Sequence, residues 1–149
     1  MRARTSVSRS LDVLRSDGRL WIGFALVVAV VATAGSLFYS LGWRLVPCRL
    51  CWYQRILMYP LVVVLGYGLL TRKSDIYLAA LPLTIPGIAI ASYHTWLQFQ
   101  PPGTCVFLGC GAVQFEFLGV LTIPNQALLA FVLVTAAMVG LRVAGSADA

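Results

Sequence analysis

The chain has 149 residues, of which 60% are hydrophobic and 11% are charged, and its net charge is +6. A soluble domain carries about 25% charged residues, so the bilayer must be the solvent for much of this chain. The positive charge lies in the N-terminal tail and beside apolar stretches, which is typical of a membrane protein and excludes nucleic acid as the expected partner.

Four apolar stretches follow a basic N-terminal tail, residues 1–19. A helix that crosses the bilayer needs roughly 20 residues. The second stretch reaches that length only if it includes Arg55. The predicted spans are 20–43, 52–71, 76–98 and 120–141. Together they predict an all-α, four-helix transmembrane domain over 20–143, followed by a short tail, 144–149.

The basic residues predict how this bundle is oriented. With four spans, both termini and the loop at Arg72 share one side, which holds eight Lys and Arg residues, whereas the other side holds three. Cytoplasmic segments carry the excess of Lys and Arg, so both termini are predicted to be cytoplasmic, in a cell membrane. All four cysteines then lie on the extracytoplasmic face, where disulfides persist. Cleavage of a signal peptide after Ala34 is the alternative, but the apolar sequence continues to Trp43 and favours a retained helix.

Cys48 and Cys51, here called the membrane pair, stand where the second span begins. Pro47 favours the first turn of a helix, so Cys48 is expected at the helix N-terminus. The positive end of the helix dipole should lower the pKa of its thiol and favour the reactive thiolate. The spacing is typical of a redox site, and half of a metal site or an inert disulfide remain alternatives.

Arg55 follows Cys51 by four residues, so the two share a helix face. An arginine costs roughly 2.5–3.5 kcal/mol at mid-bilayer on insertion scales, so we expect Arg55 to hold an anion, either a thiolate or a reduced quinone oxygen. Snorkelling to the headgroups is the alternative. His94 is the only histidine. It can donate a hydrogen bond or a proton to a quinone carbonyl, or be satisfied by a neighbouring helix.

Cys105 and Cys110, here called the loop pair, lie in the predicted outer loop, 99–118. Four intervening residues that include a glycine allow a small ring, which can move and meet a soluble partner. A static clip that pins the loop is the alternative.

With both pairs in place, the chain resembles the DsbB/BdbC family of membrane disulfide-forming oxidoreductases. The resemblance rests on the order of the four spans, on both cysteine pairs and on three sequence segments. These segments are Pro47-Cys48-Arg49-Leu50-Cys51-Trp52-Tyr53-Gln54-Arg55, His94-Thr95-Trp96-Leu97-Gln98 and Gly119-Val120-Leu121-Thr122-Ile123-Pro124. The close spacing of the loop pair is similar to the shorter BdbC type.

The resemblance implies an enzyme that reoxidises a thioredoxin-like dithiol partner of the DsbA/BdbD type outside the cytoplasm. The partner would reduce the loop pair, the loop pair would reduce the membrane pair, and the membrane pair would reduce a quinone of the ubiquinone or menaquinone type. Arg55 and His94 would lie at the quinone, and no metal is expected. A cysteine-based metal transporter or binding protein is the main alternative. Transport is disfavoured, because all four cysteines lie on one predicted face and the spans are nearly free of acidic residues.

Overall fold

The computed structural model describes residues 2–100, 116–117 and 121–146. Within these residues the chain forms four long α-helices, all of them long and apolar enough to cross a membrane. They are α1 (Arg2–Leu41), α2 (Arg49–Thr71), α3 (Tyr77–Leu97) and α4 (Ile123–Ser146). The predicted all-α fold class with four membrane-spanning helices is confirmed. The loop pair lies outside the described residues.

The helix ends differ in detail from the stretches read from the sequence. α1 begins at Arg2, so the segment assigned to a polar tail is helical, and its apolar part runs from Gly18 to Leu41. No proline interrupts this segment, so the helix can continue through it. α2 begins at Arg49, three residues before the predicted start, because Cys48 caps it.

Short connections join α1 to α2 and α2 to α3. Arg72 caps the C-terminus of α2, adopts a left-handed conformation (φ 56°) and donates its backbone N–H to the Gly68 carbonyl, as at many helix C-termini. A single 3-10 turn, Ser74–Ile76, then leads into α3. Before α4, strand β1 (Glu116–Phe117) pairs antiparallel with strand β2 (Leu121–Thr122), with Glu116 opposite Thr122. The Thr122 hydroxyl donates to Gln98 Oε1 at 2.8 Å, which ties this hairpin to the end of α3.

The helices form a ring in which α1 packs on α2 and α4, and α3 packs on the same two helices. The side chains between them include six that are large and fully buried: Phe131, Leu61, Leu65, Met138, Val134 and Thr84. Many large apolar side chains instead face outward, among them Val63, Leu70 and Leu78. An exterior of this kind suits contact with lipid.

Gly87 brings α3 close to α4. A Cβ atom added there would overlap the Phe131 ring, so the phenyl group packs directly on the glycine backbone. Gly87→Ala is expected to lower the free energy of unfolding by about 1–3 kcal/mol, the usual cost of overpacking. Unfolding in detergent, followed by circular dichroism, measures this.

Gly66→Ala in α2 is the matched control, because a Cβ there meets nothing within 4 Å. It should be neutral or stabilising, since alanine favours a helix over glycine by about 1 kcal/mol. Equal stabilities of the two variants would show that the contact with Phe131 does not limit the packing of α3 on α4.

Candidate redox site

The two sulfurs of the membrane pair lie together at the start of α2. Cys48 is the N-cap residue, and its sulfur accepts a hydrogen bond from the Cys51 backbone N–H at 3.2 Å. Both cysteines are partly buried, and their sulfurs are 2.7 Å apart. A disulfide bond measures about 2.05 Å, so a small side-chain movement closes the pair. Pro47 therefore precedes the cap, whereas the sequence predicted it inside the first turn.

The pKa of the Cys48 thiol is shifted upward, opposite to the shift that the sequence predicted. The side-chain hydrogen bond with Cys51 and then burial raise the pKa of the Cys48 thiol from 9.0 to about 12. A hydrogen bond from His94 and the Cys51 backbone N–H act in the opposite direction and are outweighed. The predicted lowering by the helix N-terminus was therefore wrong for the reduced pair, because the neighbouring sulfur dominates. In this state Cys48 keeps its proton at neutral pH.

His94 projects from α3 toward the membrane pair. Its Nε2 atom lies 3.7 Å from Cys48 Sγ, and its Nδ1 atom lies 3.3 Å from Gln54 Nε2. Both polar side chains are buried, with His94 3% and Gln54 5% exposed. The sequence led us to expect His94 at a quinone, and it did not lead us to single out Gln54. A polar residue three positions after Cys51 in an apolar helix is the signal that could have identified it.

A cavity of about 580 Å³ lies beside the membrane pair, between α1, α2 and α4. This volume is within the usual range of small-molecule sites, about 300–1,000 Å³. Aliphatic side chains form most of its wall. The polar residues that line it include Tyr39, Ser40, Cys51, Gln54, Arg55 and Gln126. Among the described lining residues Cys51 is the sole cysteine, and His94 is absent from them.

Arg55 places a positive charge on the wall of this cavity. Its Nη2 atom donates to the Ser36 carbonyl of α1 at 3.0 Å and to the Ser40 hydroxyl, and its Cζ atom lies 5.5 Å from the centre of the Trp52 ring. These contacts hold the guanidinium between α1 and α2. Arg55 and Cys51 therefore share the cavity, as their spacing predicts. Ser36 and Ser40, spaced by one helical turn, were not predicted from the sequence.

Two tyrosines add polar groups to the cavity wall. Tyr39 donates its hydroxyl hydrogen to Gln126 Oε1 at 2.9 Å, which links α1 to α4. The Tyr59 hydroxyl is buried and has no hydrogen-bond partner among the described residues. A buried hydroxyl without a partner costs about 1–3 kcal/mol.

The comparisons with known proteins agree with this site. A family model for "Disulfide bond formation protein DsbB" matches residues 18–141. The chain is 40% identical over 114 residues to "Disulfide bond formation protein C" of Bacillus subtilis (strain 168), which covers 72% of this chain and 82% of that protein. It is 41% identical over 116 residues to a "Probable disulfide formation protein" of Oceanobacillus iheyensis, covering 72% and 79%. No solved structure gives a significant match. The resemblance seen in the cysteine motifs is thus confirmed, and the chain belongs to the DsbB family of membrane disulfide-forming oxidoreductases.

Proposed function

We propose that this chain passes electrons from a reduced thioredoxin-like partner, through the loop pair and the membrane pair, to a membrane quinone. The observation that most directly supports this proposal is that Cys51 and Arg55 line one largely apolar cavity between membrane-spanning helices. A lipid-soluble acceptor can there meet a sulfur beside a fixed positive charge. The excess of basic residues on the side of the termini supports placing both pairs on the extracytoplasmic face.

Electrons enter through the loop pair. A partner thiolate attacks the loop-pair disulfide, and the second partner thiol completes the exchange, so the partner leaves oxidised and the loop pair becomes a dithiol. A loop thiolate then attacks the membrane-pair disulfide at Cys48, the sulfur outside the cavity wall. The bond between the two membrane-pair sulfurs breaks, and Cys51 leaves as a thiolate at the cavity.

Electrons leave through Cys51. The second loop thiol attacks the mixed disulfide, which restores the loop-pair disulfide and releases Cys48. A bound quinone supplies an acceptor for two electrons and two protons. Arg55 stabilises the negative charge that develops on the Cys51 sulfur and at the acceptor, as charge-assisted hydrogen bonds do. The membrane-pair disulfide re-forms, so one partner disulfide is made for each quinone reduced to quinol.

Filling the cavity tests where the acceptor binds. Gly35 lines the cavity, and a Cβ there meets nothing within 4 Å. Gly35→Leu should therefore occupy cavity space without a clash and raise the KM for short-chain ubiquinone and menaquinone analogues by about tenfold, a loss of ~1.4 kcal/mol of binding free energy. Quinone reduction is followed by absorbance, with the reduced partner in excess.

Gly23→Leu is the matched control on the same helix, because Gly23 is equally open but does not line the cavity. Its KM should equal that of the unmodified chain. Equal KM values for both leucine variants would place the acceptor elsewhere. The ratio of KM values for the two analogues in the unmodified chain identifies the preferred quinone type.

Metal binding is a second candidate function. The ligating atoms of Cys48, Cys51 and His94 all lie within 4.8 Å of one another. Against this reading, the Gln54 amide nitrogen faces His94 Nδ1, which leaves the imidazole proton on Nε2, the atom that a metal would need beside the sulfurs. A thiol count separates the two functions. Quinone-dependent loss of two thiols per chain supports redox catalysis, whereas a bound cation with no such loss supports metal binding.

A further inference from the structure

Gln54 lies beside the membrane pair and holds the imidazole that contacts Cys48. We propose that Gln54 is a positioning residue that keeps His94 in the tautomer with its proton on Nε2, so that the imidazole donates a hydrogen bond to Cys48 whenever that sulfur carries negative charge. The inference deepens the proposed function, because it rests on disulfide exchange at Cys48.

The chemistry of the amide sets the direction of the first hydrogen bond. An amide nitrogen carries two hydrogens and can only donate. Gln54 Nε2 lies 3.3 Å from His94 Nδ1, so Nδ1 must accept, and the single proton of the neutral ring must be on Nε2. Nε2 lies 3.7 Å from Cys48 Sγ, a distance at which an N–H reaches a sulfur. Gln54, His94 and Cys48 thus form a chain with one donor direction.

Burial makes the direction of these hydrogen bonds energetically important. Gln54 and His94 are 5% and 3% exposed, so water does not compete for their polar atoms. With the Gln54 amide oriented as it is, the opposite tautomer would place an N–H of the ring against an N–H of the amide, and an unmade buried hydrogen bond costs about 1–3 kcal/mol. It would also turn a lone pair of Nε2 toward Cys48, where a thiolate would be repelled.

The proposed hydrogen bond acts in one exchange step. When the second loop thiol attacks the mixed disulfide, a sulfur–sulfur bond forms within the loop pair and the bond to Cys48 breaks. The electron pair of the broken bond stays on Cys48. His94 stabilises this thiolate through its Nε2 hydrogen and keeps its proton, so it acts as a fixed donor. Arg55 supplies the corresponding positive charge on the cavity side, next to Cys51.

Nitrogen-15 NMR of the imidazole tests the tautomer directly, since His94 is the only histidine in the chain. Full-length protein with ¹⁵N-labelled histidine is reduced and studied in nanodiscs without partner or quinone. We expect Nδ1 without a proton and Nε2 with one. Gln54→Glu should put a proton on Nδ1, because a carboxylate at that position can only accept. A protonated Nδ1 in the unmodified chain would overturn the inference, whatever the outcome for the quinone.

Thiol reactivity tests the consequence at the sulfur. With Cys51→Ala, Cys105→Ser and Cys110→Ser, Cys48 is the one remaining thiol, and its alkylation rate by iodoacetamide reports its thiolate. Adding Gln54→Met, which keeps the size but removes the donor, should mix the tautomers and slow alkylation about threefold to tenfold, as expected for losing part of a charge-assisted hydrogen bond.

Gln98→Met is the matched control, because it also removes a glutamine hydrogen bond at the end of α3, the one from Thr122, and leaves the hydrogen bond between Gln54 and His94 in place. It should leave both the alkylation rate and the imidazole spectrum unchanged. An unaltered alkylation rate in Gln54→Met would overturn the role assigned to the glutamine. The same imidazole tautomer in the unmodified chain and in both Gln54 variants would overturn it too. Because neither measurement uses quinone, failure of the quinone proposal leaves this test intact.

Discussion

Cys51→Ser is expected to abolish quinone-dependent oxidation of a reduced thioredoxin-like partner, with kcat/KM falling at least about a thousandfold, as when an essential nucleophile is removed. A serine hydroxyl cannot form a disulfide, so the membrane pair can no longer hold two electrons as a dithiol or release them by closing. The substitution also removes the one cysteine among the described residues that line the cavity. Partner thiols and quinone absorbance, followed together, give the rate of each half of the reaction.

Cys48→Ser is the informative comparison, since it should be equally inactive for a different reason. With Cys51→Ser, the Cys48 thiolate can still attack the oxidised loop pair, which breaks the loop-pair disulfide, frees one loop thiol and forms a mixed disulfide that should be visible on non-reducing gels. With Cys48→Ser the mixed disulfide should be missing, because Cys51 lies at the cavity wall. Full turnover in Cys51→Ser would refute the redox role of the membrane pair, and a mixed disulfide at Cys51 would reverse the order of the two sulfurs.

Arg55→Met is expected to raise the KM for quinone by about 10-fold to 100-fold. Hydrogen bonds to charged groups contribute about 1.5–3 kcal/mol, and methionine removes the charge while keeping much of the side-chain volume. The guanidinium is held by Ser36 and Ser40 of α1, so its charge is fixed at the cavity before any ligand arrives. Steady-state quinone reduction at saturating partner measures the change.

Arg55→Lys separates charge from geometry. Lysine keeps the positive charge but lacks the planar fork of donors, so its KM should fall between those of the unmodified chain and Arg55→Met. Unfolding of all three proteins in detergent shows whether the loss of the contacts to α1 changes stability as well. A KM that is the same in Arg55→Met as in the unmodified chain would remove Arg55 from the acceptor site.

The sequence predicted the number of helices, and it predicted that Cys51 and Arg55 lie on the same face of α2. Both predictions follow from short-range spacing. It could not predict the partner of His94. Helices α2 and α3 are apolar on most of their surface, so the sequence pattern does not reveal which face points inward. Close contacts decide the rotation of α3 instead, such as that of Phe131 on Gly87. Only this packing brings His94 to Cys48 and Gln54, and its place at a quinone stays a prediction.

The pKa of Cys48 shows a second limit of sequence reasoning. A cysteine at a helix N-terminus predicts a lowered pKa, and Cys48 does cap α2. The prediction failed because the closest polar group is the Cys51 sulfur at 2.7 Å, and its hydrogen bond and the burial of the site outweigh the backbone. Spacing along a chain indicates that two sulfurs are neighbours, but the balance between a dipole and a hydrogen bond depends on distances that only the folded site provides.

The described cavity lining includes Cys51 but not Cys48, and this difference has a chemical consequence for the proposed quinone. Quinones are electrophiles, and free thiols add to their rings to give dead-end products. Cys51 is the one cysteine among the described residues that line the cavity, and Cys48 is not among them. In the proposed mechanism, a loop-pair thiol therefore attacks Cys48 without meeting the quinone ring. The proposed arrangement keeps the electrophilic acceptor apart from the thiols whose electrons it receives.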